Sequence, residues 1–232
     1  MKKLAIAVLI LAPALALAQP QLEIPNNKFD FGLTPQKSTL VTDFWFKSTG
    51  DDTLRINRIK TGCSCVMMPL ERDWLAPGDS MKIKIFWEIT KEIGHAGKYP
   101  YIYTNVKERP FRVYMDCLVI RKPESTKVVT FSPFKFELAQ IGKQSIDSIG
   151  FEMFNKFDYD VEAKVISSDI EECDISLPEI LPSNRVSTGY IRVKPAFRNQ
   201  EFKRSLTVEF TDANDTRMTI PIRRKIYESS SK

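Results

Sequence analysis

Cysteine and histidine are the side chains best suited to covalent or metal chemistry, and this chain has four of the first and one of the second. Cys63 and Cys65 stand one residue apart in Thr61-Gly62-Cys63-Ser64-Cys65. Along an extended strand, residues two apart lie about 6.6 Å from each other, whereas a disulfide needs its Cβ atoms about 3.5–4.5 Å apart. A bridge between the two therefore requires a tight turn, which Gly62 and Ser64 permit. Three chemistries fit the pair. One is structural, either a buried pair or one cysteine bridged to Cys117. The second is thiol redox, although no helix is apparent to lower a thiol pKa from its amino terminus. The third is a soft-metal site completed by Met67, Met68 or His95. The structural reading leads. Cys117 alternates in phase with Phe111, Val113 and Met115 and reads as a small buried apolar residue. Cys173 lies in the other half of the chain, so complete pairing of the four cysteines within one chain is not expected.

His95, in Gly94-His95-Ala96-Gly97, reads as a surface residue in a turn between strands. No phosphate-cradling Gly-rich loop and no His-Glu-x-x-His is present. The acidic residues scatter along outward strand positions and suggest no paired acid and base. No catalytic residue, cofactor or metal ligand is assigned on these grounds, and the chain reads as a non-enzyme. Tyr99, Tyr101 and Tyr103 recur at every second position and so share one strand face. Packing is one use of such a face; a platform for a sugar or a protein partner is another. Lys82, Lys84, Arg112, Arg223 and Arg224 fall on outward strand positions, as edge blockers or as contacts for an acidic partner.

The elements that must carry these residues are strands. Met81, Ile83, Ile85 and Trp87 interleave with Lys82, Lys84 and Glu88, and Leu206, Val208 and Phe210 with Thr207 and Glu209. A period of two predicts half-buried strands with one wet face. Turns are predicted at Thr49-Gly50-Asp51, Ala76-Pro77-Gly78-Asp79, Leu181-Pro182-Ser183-Asn184 and Asp212-Ala213-Asn214-Asp215. The pattern also repeats. Phe29-Asp30-Phe31 is echoed by Phe134-Lys135-Phe136, Phe44-Trp45-Phe46 by Phe151-Glu152-Met153, and Tyr103-Thr104-Asn105 by Phe210-Thr211-Asp212. One sandwich takes about 100 residues. The expected fold is all-β, two tandem immunoglobulin-like β-sandwich domains over residues 21–122 and 123–228.

Before them, Lys2-Lys3 precedes an apolar run from Leu4 to Leu17 that ends in Ala16-Leu17-Ala18. That is the pattern of a secretory signal peptide, residues 1–18, cut before Gln19. The expected destination is the periplasm or cell envelope, with no transmembrane segment in the mature protein. The net charge of +5 falls to +3 without Lys2 and Lys3 and predicts no nucleic-acid partner.

The first half resembles a bacterial exported family of unknown function whose immunoglobulin-like domains are akin to the Hydin and major-sperm-protein type. The resemblance is carried in order by Phe29-Asp30-Phe31-Gly32, Phe44 to Gly50, Leu54-Arg55-Ile56 and Thr61-Gly62-Cys63-Ser64-Cys65. Leu75-Ala76-Pro77-Gly78-Asp79, Gly97-Lys98-Tyr99 and Thr104-Asn105 follow. It implies a fold and a compartment and brings no catalytic role. The expected function is non-enzymatic binding or assembly with another envelope protein, through sandwich faces and edge strands. The alternatives are a periplasmic chaperone-like protein and a thiol-redox protein using Cys63 and Cys65.

Overall fold

The computed structural model describes residues 18–106, 109–122, 126, 128–167 and 170–227. Residues 1–17 of the expected signal peptide 1–18 lie outside the described residues, as does part of the expected boundary stretch Arg121 to Ser125.

Two sandwiches follow one another, each around its own hydrophobic cluster. The first contains β1 (Leu22–Glu23), β2 (Lys28–Pro35), β3 (Ser38–Ser48), β4 (Leu54–Lys60), β5 (Val66–Met67) and β6 (Trp74–Leu75). It continues with β7 (Ser80–Ile89), β8 (Gly94–Lys98), β9 (Tyr101–Thr104), β10 (Phe111–Arg112) and β11 (Tyr114–Ile120). The second contains β12 (Thr130–Ser132), β13 (Phe136–Ile141), β14 (Gln144–Ile146), β15 (Ser148–Phe154) and β16 (Val161–Val165). It is completed by β17 (Cys173–Ser176), β18 (Ile180–Leu181), β19 (Val186–Val193), β20 (Phe202–Phe210) and β21 (Arg217–Tyr227).

Strand order repeats between the halves. The sheet β1-β3-β7-β5 has its counterpart in β12-β15-β19-β17, and the run β6-β4-β9 in β18-β16-β20. In each half an early strand runs parallel to the last one, β2 beside β11 and β13 beside β21. The turns agree as well. Asp79 N–H donates to the Ala76 carbonyl at 3.0 Å with Gly78 at φ +81°, the left-handed position a Pro-Gly turn requires. Asn184, at φ +50°, takes that place in the second half.

The alternating residues behave as the period of two predicts where one face meets a core. Met81, Ile83, Ile85, Trp87 and Ile89 are all buried. Elsewhere the wet face is lost. Thr207, between buried Leu206 and Val208, is itself buried, and so is Val41 between Leu40 and Thr42. The cause is contact between the sandwiches. Ser205 on β20 donates its hydroxyl to the Val41 carbonyl at 2.8 Å and accepts from the Val41 N–H at 2.9 Å. Thr219 donates to the Phe31 carbonyl at 2.6 Å, and Lys203 pairs with Glu88 at 2.5 Å.

The sheets themselves join where Leu33 pairs with Met218, so β2 and β21 link the two halves into one nine-stranded sheet. Gly32 permits that approach: its φ is +61°, and a Cβ there would sit 2.1 Å from the Arg217 carbonyl oxygen. Arg224 corrects the outward reading of its position. Its side chain is buried, pairs with Asp147 at 2.9 Å and donates to the Arg198 carbonyl.

Candidate functional site

The Cys63–Cys65 pair sits where the chain crosses between sheets. β4, which ends at Lys60, belongs to the sheet β10-β9-β4-β6, whereas β5, which begins at Val66, belongs to β1-β3-β7-β5. The two cysteines are bonded to each other with Cα atoms 5.2 Å apart. Gly62, at φ +82°, makes the turn, and Thr61 donates its hydroxyl to the Cys63 carbonyl at 2.9 Å. The Cys65 carbonyl accepts from Glu88 N–H at 2.8 Å, which ties the corner to β7. Both cysteines are half-buried against the core.

This geometry selects among the sequence alternatives. Cys117 is not a bridge partner: it is a free, buried thiol on β11, and Cys173 is likewise free and buried on β17. Burial pushes both thiols up to about 12, Cys117 further raised by the nearby Asp30 and Asp116 carboxylates and Cys173 by Glu172. Such thiols are poor nucleophiles. The sulfurs of Cys63 and Cys65 are bonded to one another, so neither is a thiolate free for a soft metal. Met67 points to solvent while Met68 is buried. His95 lies within strand β8, paired with Leu118, rather than in a turn.

The second feature is a basic and aromatic face. β9 and β10 pair with Tyr101 opposite Arg112. On its other side β9 meets β4, with Tyr101 opposite Lys60 and Tyr103 opposite Arg58. Opposed residues of an antiparallel pair share a face. Tyr101, Tyr103, Arg58, Lys60 and Arg112 therefore point the same way, while Ile102 on the opposite side is fully buried. The Arg112 guanidinium lies 4.1 Å from the Tyr101 ring centre and donates to its hydroxyl. Arg58 is 4.6 Å and Lys60 5.8 Å from the ring of Tyr103. Among the described residues none of Arg58, Lys60 and Arg112 has a carboxylate at ion-pair distance.

Tyr99 departs from the expected strand face. The hairpin breaks at Pro100, whose carbonyl accepts from Val113 N–H at 3.3 Å, and β8 and β9 lie in different sheets on either side. Tyr99 sits at that break, its ring tilted against that of Tyr114 with centres 5.6 Å apart. Its hydroxyl donates to Asp116 at 3.0 Å, a bond and a negative charge that raise the phenol's pKa. Tyr114 then connects Tyr99 to the rest, since Arg112 and Lys28 lie 5.8 and 5.7 Å from its ring. Arg58, Lys60, Lys28 and Tyr114 escape sequence reasoning. The signal available for two of them was Arg58-Ile59-Lys60, in which the two cations flank the partly buried Ile59.

The first sandwich matches a known family. The matching model is described as a protein of unknown function (DUF1573) and covers residues 22–119, the disulfide corner and the tyrosine face included. No curated protein matches the chain. Among solved structures, a protein of unknown function from Porphyromonas gingivalis W83 is 10% identical at a TM-score of 0.37, covering 88% of this chain and 99% of the other. The ASH/PapD-like domain 7 of human CEP192 is 10% identical at 0.39, covering 52% and 99%. The YadV chaperone is 9% identical at 0.31, covering 87% and 98%. At these scores none of the three bears on function. Among the described residues no helix is long and apolar enough to cross a membrane.

Proposed function

We propose that this protein is a non-enzymatic binding or assembly module of the cell envelope, exported by its amino-terminal segment, and that it contacts an acidic partner protein through the outer face of its first sandwich. One observation carries the reading: Arg58, Lys60 and Arg112 are held over tyrosine rings with no acidic partner among the described residues. A cation fixed over a ring loses little side-chain freedom when a carboxylate arrives, so each contact costs less ordering entropy. In this reading the Gly62-Cys63-Ser64-Cys65 corner marks a sandwich of the Hydin and major-sperm-protein type and sets the end of β4, and with it Arg58 and Lys60.

Faces are favoured over edges. Among the described residues the terminal strands of the four sheets are two to five residues long: β1, β5, β6, β10 and β18 have two each, β12 and β14 three, β17 four and β8 five. Short edge strands offer little template for an added strand, which weighs against a chaperone that completes its client's sheet. The test is cross-linking in intact cells, comparing the wild type with Arg58→Ala/Arg112→Ala. The wild type should recover the same few acidic partners reproducibly and the double variant should lose them. Equal recovery by both would overturn the assignment of this face. Turnover of a small substrate, or disulfide exchange, by the pure protein would overturn the non-enzymatic reading.

A further inference from the structure

A groove of about 830 Å³ lies beside the joint between the sandwiches. Its lining includes Lys28, Lys47, Lys82, Trp45 and Asp43 from the first sandwich and Ser167 from the second. The alternation of β3 explains the wall. Phe44 and Phe46 are buried, so Trp45 and Lys47 between and beside them must face out, and Trp45 keeps 49% of its surface exposed. Lys82, directly across from Trp45 on β7, holds its ammonium 5.5 Å from the indole ring.

Two polar groups in this groove lack the partners that buried groups normally have. The Asp43 side chain is only 6% exposed. Its Oδ1 is buried with no hydrogen-bond partner among the described residues, and its Oδ2, the oxygen open to a ligand, lies 3.7 Å from Lys82 Nζ, beyond hydrogen-bond distance. Ser167 Oγ, from the other sandwich, is also without one among the described residues. An exposed indole, three lysines and a carboxylate short of a donor make a specific set of demands. The ligand must present a flat apolar face to Trp45, negative charge to the lysines and hydroxyl donors to Asp43.

We infer that the groove binds an acidic oligosaccharide of the uronate kind, at a site that adjoins the tyrosine cluster through Lys28. A pyranose ring supplies the apolar face, its carboxylate the charge and its hydroxyls the donors. An acidic peptide supplies charge and, through its backbone N–H groups, donors, but ionised Asp and Glu side chains bring no flat apolar face to Trp45. A neutral sugar offers no charge to Lys28 and Lys47, which unlike Lys82 have no carboxylate beside them among the described residues.

Calorimetric titration of the full chain with hexagalacturonate, maltohexaose and hexaglutamate tests this. Hexagalacturonate should bind, with the other two at least about tenfold weaker, a factor of ten corresponding to about 1.4 kcal/mol. Trp45→Ala and Lys47→Ala should each weaken the uronate by about that factor while leaving the melting curve in place, since both side chains are exposed. Hexaglutamate binding as tightly as the uronate would make the groove an acidic-peptide site and overturn the inference. Absence of uronate binding, or binding undiminished in both variants, would overturn it equally.

Discussion

Ser205→Ala removes one oxygen and should loosen the joint between the sandwiches. The hydroxyl is buried and serves both the N–H and the C=O of Val41, across 164 residues of chain. On that edge of β3 the neighbouring strand β1 pairs only with Lys47 and Ser48, so among the described residues no strand lies beside Val41 there. Alanine would leave a buried donor and a buried acceptor unpaired at about 1–3 kcal/mol each. Partial relaxation brings the expected loss to about 2–4 kcal/mol, a large share of a typical stability of about 5–15 kcal/mol. Urea unfolding with two probes measures it. The three tryptophans, Trp45, Trp74 and Trp87, all lie in the first sandwich, so indole fluorescence reports that half while far-ultraviolet circular dichroism reports both. The wild type should show coincident transitions. The variant should shift to lower urea, and its two probes should separate as the halves uncouple. A loss below about 0.5 kcal/mol, the scale of an indifferent surface substitution, would refute the reasoning and mean that water reaches Val41.

Gly32→Ala should destabilise more severely than any surface change, because its Cβ would meet the Arg217 carbonyl at 2.1 Å at a positive φ; a melting temperature within 1–2 °C of wild type, roughly the scale of a neutral change, would contradict the close approach. Cys63→Ser/Cys65→Ser should lower stability by about 1–2 kcal/mol, the chain-entropy scale for a loop this short, and reductant should lower the wild type equally while leaving the variant unmoved. Burial would raise the Asp147 pKa, but the Ser145 hydroxyl and the Arg224 and Arg198 guanidiniums outweigh it and hold the carboxyl below its ordinary value. Its contribution is thus present above the unfolded carboxylate's value near about 3.9 and lost as pH falls through the folded one, so Asp147→Asn should flatten the acid limb of the stability curve. Cys117 and Cys173, raised to about 12, work in the opposite direction: their contribution is full below about pH 8.5 and declines above it. A thiol reagent at pH 8 should accordingly find both unreactive until the protein unfolds.

The alternation of Met81 to Ile89 and the Pro77-Gly78 turn were readable in the sequence because each depends on near neighbours. Strand period and turn geometry are local properties of a backbone with two soft dihedrals per residue. The repeated motifs carried the tandem sandwiches for the same reason, and the Cys-x-Cys spacing already demanded a turn at Gly62. Other features depend on residues far apart in the chain. Whether Thr207 faces water depends on Val41, and whether Arg224 faces out depends on Asp147 and Arg198. Tyr101 and Tyr103 were visible as a stripe, but the cations that give the stripe its chemistry come from β4 and β10 by pairing register. Tyr99 left that stripe because the hairpin bends at Pro100. The orphaned Asp43 could not be foreseen either, since its surroundings are assembled from both sandwiches. The sequence by itself determined the strands, their turns and their doubling, because each strand needs only its own period to choose a face. Which faces stay wet, which cations stay unpaired and where a groove opens was decided only when two nearly equivalent sandwiches docked through β2, β3, β20 and β21.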